Sequence, residues 1–293
     1  MIVEWRRIRS VVPGALLIFL VAACGSSNGP TPLPQPPASS GPPSNGPSLN
    51  LPPRIEGITA SAERAEVDTE VSLTAVVRDD ETSIDQLKFE WKADAGTFAG
   101  EGPAVKWRAP AGIRTPADYT VSLTVTETYG AADASGVRPT NVSTATAPVI
   151  RVHNSPKELG DISLKFLSDF ANSSVSPADC LRDFTDSCRG KADERSDIEF
   201  NRGHFAILSS TLNLRNATVD SNGVTANITV ACAFTSRITA CDAGDSSCAV
   251  GSISSVSGDC LLTGKYEQKR WWLCDSHFRG RLGEGLRGFF GVH

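Results

Sequence analysis

The sequence lacks most of the features that would announce a chemical activity. Its 293 residues include one methionine, three tyrosines and four histidines. No Cys-x-x-Cys pair, no His-Glu-x-x-His pair and no phosphate-binding loop occurs in it. Thioredoxin-like redox chemistry, a zinc ribbon and covalent haem therefore have no support, and we expect no metal and no cofactor.

Excess positive charge and long hydrophobic runs are also missing. The formal net charge is −5 and the isoelectric point is about 5.5, which argues against a nucleic-acid-binding protein. The apolar run over residues 11–23 is shorter than the roughly 20 residues that a folded spanning helix needs. Hydrophobic residues nevertheless make up 40% of the chain and charged residues 21%, so most of it can bury a core. The length favours about two domains.

The N-terminus has the order of an export signal. Three arginines lie before residue 10, the uncharged stretch 11–23 follows, and Val-Ala-Ala comes directly before Cys24. This arrangement resembles the lipobox of bacterial lipoproteins. The resemblance implies that residues 1–23 are a signal peptide, that Cys24 carries lipid such as palmitate, and that Gly25 favours the outer membrane. We therefore expect a cell-envelope protein that reaches the membrane through its lipid anchor.

A tether follows over residues 24–53. From residue 25 onward it contains ten prolines, four glycines and six serines, and it carries no charge. Such a composition cannot bury enough apolar surface to fold, and its prolines favour extended polyproline II. We interpret the segment as a semi-rigid spacer, with a Pro-rich recognition ligand as the alternative.

Residues 54–153 have the period-two pattern of half-buried antiparallel strands. Apolar residues recur at alternate positions over residues 71–77, 87–91, 105–107 and 119–125. Turn residues separate these runs. The pattern predicts an all-β sandwich held by packing alone, because no cysteine lies between residues 54 and 179.

Three stretches of this region, residues 87–100, 105–110 and 119–126, resemble PKD-type immunoglobulin-like domains of bacterial surface proteins. The resemblance implies an immunoglobulin-like sandwich that acts as a spacer or an adhesive module. The typical Trp-Asp-Phe-Gly-Asp-Gly signature is absent, and Trp91 stands in its region. We expect Trp91 and Trp107 to pack in the core.

Residues 155–279 predict an α+β domain. A capping box at Ser155, with proline in the first turn, and a similar start at Ser176 predict two helices. Strands are predicted over Phe205–Val219, 224–234, 259–266 and 271–278, with hairpin turns at 220–223 and 267–270. Helices first and an antiparallel sheet afterwards make an α+β arrangement.

This order, with the late strand at residues 269–278, resembles the NTF2-like (SnoaL-type) cone fold. The resemblance implies a curved sheet that closes beside a pocket. Members of that family include enzymes as well as binding or assembly modules, so the fold does not set the function. We expect the Gly-rich tail, residues 280–293, to dock on this domain or to fray.

Seven cysteines remain once Cys24 is lipidated, and all lie in the second domain: Cys180, Cys188, Cys232, Cys241, Cys248, Cys260 and Cys274. Their abundance beside a single methionine favours an oxidising compartment and disulfides rather than a metal site. An odd number allows at most three disulfides. We expect Cys241–Cys248 to close a loop and Cys232–Cys274 to join paired strands. Cys180–Cys188 is a further candidate if the helix ends before Cys188.

The candidates for catalysis are two histidines and two aspartates. His204 and His277 are the plausible general bases, with Asp197 and Asp275 as partners. We expect both histidines to be structural or exposed. A histidine inside an apolar cavity facing Asp197 would instead favour an enzyme.

Together these features predict a lipid-anchored envelope protein with a binding, adhesion or assembly role. In this hypothesis the sandwich is a stalk or adhesive module, and the second domain is a head for an unknown protein or glycan partner. The alternative is a periplasmic or surface enzyme with an NTF2-like pocket in the second domain.

Overall fold

Strands are the commonest regular element of the described chain. A computed structural model describes residues 50–281, apart from Asp245 and Ser247. The predicted signal peptide, Cys24, the tether before residue 50 and the tail from residue 282 lie outside the described residues.

Residues 54–153 form ten strands, in agreement with the alternating pattern. The strands are β1 Arg54–Ala60, β2 Arg64–Glu66, β3 Glu70–Arg78, β4 Lys88–Ala93, β5 Thr97–Ala99, β6 Ala104–Arg108, β7 Ala117–Tyr119, β8 Val121–Thr128, β9 Thr140–Thr146 and β10 Ile150–His153. A 3₁₀ turn, Ile84–Gln86, precedes β4. Inward apolar and outward polar residues alternate most regularly in β3 and β8, as expected when one face of a sheet is buried.

A pair of sheets in this region shares one core. The first sheet has the order β1-β3-β6-β5 and the second the order β4-β8-β9. Leu73 and Trp107 of the first sheet and Leu123 of the second belong to the same buried cluster. Trp107 is 0% exposed, which confirms its predicted core position, whereas Trp91 is only half-buried. The arrangement is compatible with a β-sandwich, and residues 54–153 are called the sandwich region below.

The chain enters and leaves the sandwich region at opposite ends. Strand β8 finishes at Thr128, and β9 starts beside it at Thr140. Asn50 lies at that end, because its side-chain amide donates to the Glu127 carboxylate at 2.6 Å. Strand β9 leads to β10 at the other end, where β10 pairs with β2 in parallel and with β7 in antiparallel fashion. The chain therefore crosses the full length of the sheets before the first helix begins.

Residues 155–281, called the helix–sheet region below, form three helices followed by a four-stranded antiparallel sheet. The helices are α1 Ser155–Ala171, α2 Pro177–Cys180 and α3 Gly190–His204, with a 3₁₀ turn at Leu181–Asp183. The strands are β11 Phe205–Val219, β12 Thr225–Ile238, β13 Ile253–Glu267 and β14 Arg270–Arg281, paired in that order. Both predicted hairpins are confirmed, and Gly223 supplies the positive φ, 69°, that the first turn needs.

The helices cover one face of this sheet. Helix α1 packs on β11, β12 and β14. Leu159 and Phe166 of α1 share a buried cluster with Ile228, Val230 and Phe234, which lie on one face of β12. The core of the helix–sheet region therefore has one layer of helices and one layer of strands.

The observed helices differ from the predicted ones in two places. The N-cap of α1 is Asn154 rather than Ser155, because the Asn154 side chain accepts a hydrogen bond from the Lys157 amide. The Ser155 hydroxyl contacts β2 and β14 instead. Helix α3 is not predicted at all, since Ile198 is the one buried apolar side chain among its described residues. A helix without an apolar stripe leaves no periodic signal.

Three disulfides occur among the described cysteines: Cys188–Cys274, Cys232–Cys260 and Cys241–Cys248. The predicted Cys241–Cys248 pair is confirmed. The predicted Cys232–Cys274 pair is wrong, because β13 separates β12 from β14. Two strand spacings of about 4.8 Å each exceed the roughly 7 Å that a disulfide can bridge between Cα atoms.

The predicted Cys180–Cys188 pair is also wrong. Helix α2 does end at Cys180, as that pair would require, but Cys188 is bonded to Cys274. Cys180 is a buried free thiol, and the Arg202 guanidinium donates to its sulfur at 3.2 Å. Burial raises the pKa of this thiol, against the lowering effect of Arg202.

Candidate functional site

A buried polar junction joins the sandwich region to the helix–sheet region, and residues 50–281 belong to one compact unit. Ser155, at the start of α1, is its centre. Its hydroxyl donates to Glu66 Oε1 of β2 at 2.6 Å and accepts from Trp271 Nε1 of β14 at 2.7 Å. Its amide donates to Glu66 Oε2 at 2.9 Å. One serine thus connects three elements that are far apart in sequence.

His153, which lies between the two predicted domains, makes a second set of contacts across the junction. The residue is 0% exposed. Its Nδ1 lies 2.8 Å from Glu158 Oε2, and its Nε2 lies 3.0 Å from the Tyr266 hydroxyl. An ionised carboxylate only accepts, so Nδ1 donates to Glu158 and Nε2 can accept from Tyr266.

The Glu158 carboxylate is suited to accept the hydrogen bond from His153. Burial acts to raise its pKa, but hydrogen bonds from His153 and Thr115 and from the Asn154 amide hold the pKa below its ordinary value. Glu158 therefore remains an acceptor at neutral pH, and it links the last strand of the sandwich region to the first helix.

Arg64 completes the junction with its planar side chain. The guanidinium carbon lies 3.9 Å from the Tyr266 ring centroid and 5.2 Å from that of Trp271. Nη1 donates to the Gly223 carbonyl at 2.6 Å, and Nη2 lies 3.4 Å from Glu66 Oε1. Such stacking combined with hydrogen bonds fixes the orientation of the two regions relative to each other.

An open groove of about 770 Å³ lies beside the junction. This volume is in the range of small-molecule sites in proteins. Its walls are mainly apolar: Val67, Pro156, Ala217, Val219, Val224 and Tyr266. Arg64 and Glu66 also line it, but they are paired with each other. The groove therefore offers apolar surface and an aromatic ring, and it suits an uncharged ligand or chain segment.

The candidate catalytic residues lie elsewhere. His277 Nε2 is 3.0 Å from Asp275 Oδ2, so the structure brings this predicted pair together, but the histidine side chain is 64% exposed. His204 Nε2 lies 3.1 Å from Asp242 Oδ1, and Nδ1 lies 2.9 Å from the Phe200 carbonyl. Neither histidine is among the residues that line the groove.

The charge of Asp197 affects the pKa of Glu194, a carboxyl group that the sequence patterns did not reveal. Glu194 of α3 is 3% exposed and accepts from the Ser276 amide at 2.8 Å. Burial, reinforced by the charges of Asp197 and Asp275, raises the pKa of Glu194 to about 7 against the hydrogen bonds from Ser276. Because Glu194 lies in a polar helix that no apolar pattern predicts, only its tertiary position reveals it.

Phe170, Asn201 and Phe205 border a small cavity in the helix–sheet region. It measures about 20 Å³, which is room for about one water molecule and far less than a small-molecule site. Among residues 50–244 and 248–281, no three His, Cys, Asp or Glu side chains are placed to hold a metal ion. None of the described helices is both long and apolar enough to cross a bilayer.

No family model matches the chain, and no curated protein or solved structure matches it. The proposed function therefore rests on the residues of this chain alone.

Proposed function

We propose that this protein is a lipid-anchored cell-envelope protein in which a rigid sandwich separates a non-enzymatic binding head from the anchor. The lipid is attached at Cys24, the tether and sandwich form the spacer, and residues 155–281 form the head. The ligand groove lies where spacer and head meet. The predicted partner is a protein or glycan, and the predicted location is the outer membrane.

The observation that carries the proposal is the path of the chain through the sandwich region. The tether joins it at Asn50, beside Glu127, and the head begins at Ser155, beyond β10 at the other end. The segment from Asn141 to His153 spans up to about 40 Å when extended. An element that receives its tether at one end and holds a head at the other acts as a spacer.

The rigidity of the junction supports the same role. Contacts from Ser155, His153 and Arg64 bond α1 and the sheet of the head directly to β2 and β10. A flexible link between two domains would need none of these buried polar contacts, which cost free energy unless every group is satisfied. A fixed angle between spacer and head presents the groove in one orientation.

The strand order supports an immunoglobulin-like identity for the spacer. Constant-type immunoglobulin domains place strands A, B, E and D in one sheet and strands C, F and G in the other. Sheets β1-β3-β6-β5 and β4-β8-β9 have this order when β2, β7 and β10 are counted as additional short strands. For the head, helices that cover one face of an antiparallel sheet agree with the proposed NTF2-like cone, although its interior is packed.

Anchoring is tested by detergent-phase partition and labelling with radioactive palmitate. We expect the wild-type chain to enter the detergent phase with label and the C24S variant to lose both, by about tenfold or more, because the acyl chains supply the membrane affinity. Substitution of Ser26 by alanine is the matched control. Unlabelled wild-type protein in the aqueous phase would refute the anchor.

The binding head is tested by affinity capture with the full chain from envelope extracts. Val224 lines the groove and is 43% exposed, so V224R fills the groove without disturbing the core. The control is V250R, whose site is 66% exposed and does not line the groove. We expect V224R to lose the partners that wild type and V250R retain. Equal capture by all three would exclude the groove as the binding site.

A further inference from the structure

The sheet of the helix–sheet region has one edge that no other described strand pairs with. Strand β11 pairs with β12 on one side only, so its outer side presents unpaired backbone amide and carbonyl groups. The opposite edge of the sheet differs. There the Thr185 amide donates to the Leu273 carbonyl of β14 at 3.0 Å, and Phe184 forms a bridge with the same residue. The open edge of this sheet is therefore that of β11.

Strand β11 lacks the features that usually keep an exposed edge from pairing. Edge strands are commonly protected by charged side chains, by proline or by being short. Residues 205–214 contain no charged residue, no proline and no glycine, and the whole strand is 15 residues long. Bulges interrupt the pairing with β12 at Leu208 and Arg215, but the ladder between them is regular. The stretch between the bulges therefore offers a regular, uncharged edge to another strand.

The exposed leucines of this edge are placed symmetrically. Leu208 is 49% exposed and Leu214 is 40% exposed. They lie three residues before and three residues after Thr211. When two copies of the strand run antiparallel about a two-fold axis at Thr211, each Leu208 lies opposite Leu214 of the other copy. An axis at residue 210 or 212 would instead place Leu214 opposite Ala206 or Ser210. The strand thus complements itself best in one register.

The same register brings no like charges together. Arg215 is the one charged residue of β11, and its Nε lies 3.1 Å from Asp259 Oδ1 of its own copy. In the register centred on Thr211 it lies opposite Ile207 of the second copy. The two Arg215 residues are offset by eight positions, which is about 26 Å along a strand. None of residues 208–214 lines the groove beside the junction. Pairing at this edge therefore does not use the groove of either copy.

We infer that two copies of this chain associate by antiparallel pairing of their β11 strands about a two-fold axis at Thr211. The seven residue pairs over 208–214 form about seven backbone hydrogen bonds and join two four-stranded sheets into one continuous sheet. Leu208 and Leu214 are removed from water on both sides of the axis. Each assembly carries two grooves. The inference rests neither on the proposed lipid anchor nor on ligand binding in the groove.

Disulfide trapping of the full chain in detergent micelles tests the register. In T211C the two introduced cysteines lie directly opposite each other, with Cβ atoms about 5 Å apart, which allows a disulfide. The matched control is S209C, at another exposed position of the same strand. Its two cysteines are offset by four positions, about 13 Å, which is too far for a disulfide. We expect mild oxidation to give at least about tenfold more covalent dimer from T211C than from S209C.

Analytical ultracentrifugation without oxidant measures the association itself. T211K places two lysines opposite each other, whereas S257K adds the same charge at an exposed position of β13, inside the sheet. We expect wild type and S257K to form dimers, and T211K to associate about tenfold more weakly or less, because like charges directly opposite each other are unfavourable. Unchanged amide exchange in β13 and β14 verifies that both variants fold.

Two results would overturn the inference. Equal cross-linking of T211C and S209C would show that the strands do not meet in this register. A wild-type chain that stays monomeric at every concentration would exclude the pairing, and slow exchange of the β11 amides in that monomer would assign the edge to a segment of the same chain. Both results are distinct from a failure of the binding head, because neither measurement uses a ligand.

Discussion

The sandwich region, residues 54–153, contains no cysteine, whereas residues 155–281 contain three disulfides and one free thiol. In the sandwich region a pair of sheets encloses the core, and Trp107 is buried between them. In the helix–sheet region helices cover only one face of one sheet, and the edge strand β11 is exposed along most of its length. The cross-links thus lie in the region that has a single sheet with an exposed edge strand.

Two of the three disulfides hold a segment that lies outside the helices and strands. Cys188–Cys274 joins the polar segment before α3 to β14 across 86 residues, and Cys241–Cys248 closes a section of the loop between β12 and β13. The sandwich region also has loops, residues 129–139 among them, but no cross-link holds them. Packing therefore dominates one region, and packing with covalent cross-links stabilises the other.

The largest expected effect comes from removing the central side chain of the sandwich. W107A should lower the free energy of unfolding of this region by about 3–5 kcal/mol, because it empties a fully buried site and leaves the Ala95 carbonyl without its indole partner. Chemical denaturation followed by exchange of the β3 and β6 amides measures it. W272A, at a half-buried position in the helix–sheet region, is the control. A loss below about 1 kcal/mol would contradict the dominance of packing.

The second prediction concerns the cross-link between β12 and β13. Replacing Cys232 and Cys260 with alanine should cost about 3.5 kcal/mol, from the loop of 28 residues that the bond closes. Denaturation of the double variant measures the loss, and exchange should quicken in β12 and β13 but not in β3 or β6. An equal rise in amide exchange in both regions would mean that the disulfides stabilise the molecule as a whole. The contrast between a region held by packing and a region held by cross-links would then be wrong.

The third prediction concerns the pH dependence of the helix–sheet region. The folded pKa of Glu194, about 7, lies above the ordinary 4.5, so between these values the folded state holds a proton that the unfolded state has lost. Stability from this group is therefore full below pH 4.5 and lost as the pH rises through about 7. At about 1.4 kcal/mol per pKa unit, the loss is roughly 3 kcal/mol.

Urea unfolding at pH 5 and pH 8 provides the measurement. E194Q should remove this pH dependence, since the amide oxygen can still accept from Ser276 but does not ionise. E199Q, at an exposed position of the same helix, should leave it unchanged. An E194Q protein with the pH slope of wild type would show that Glu194 is ionised in the folded state throughout.

The smallest predicted effect tests whether the two regions act independently. S155A leaves the Trp271 indole and the Glu66 carboxylate without a shared partner, at a cost of about 1–3 kcal/mol. Amides of β2 and β14 should both exchange faster. S168A, at an exposed position of α1, should have no such effect. A change confined to one region would mean that the junction does not couple them.

Much of the fold follows from local patterns. Alternation over residues 71–77 and 119–125 predicts β3 and β8, and the turn at 220–223 predicts the hairpin of β11 and β12. The junction could not be predicted in this way. Ser155 and Trp271 lie 116 residues apart, and nothing in their neighbourhoods marks them as partners. The sequence placed His153 between the domains, but its buried contacts with Glu158 and Tyr266 depend on the docking of the two regions.

The cysteines show the same division most clearly. The sequence by itself determined that the seven cysteines after residue 179 allow at most three disulfides among themselves, with one thiol left over. The partners were decided by the order of the strands. Cys232 meets Cys260 because β13 lies beside β12, and it cannot reach Cys274 across an intervening strand. Hydrophobic periodicity and composition can be read from the sequence directly. The partners of each cysteine are set by packing between segments that lie far apart in the sequence.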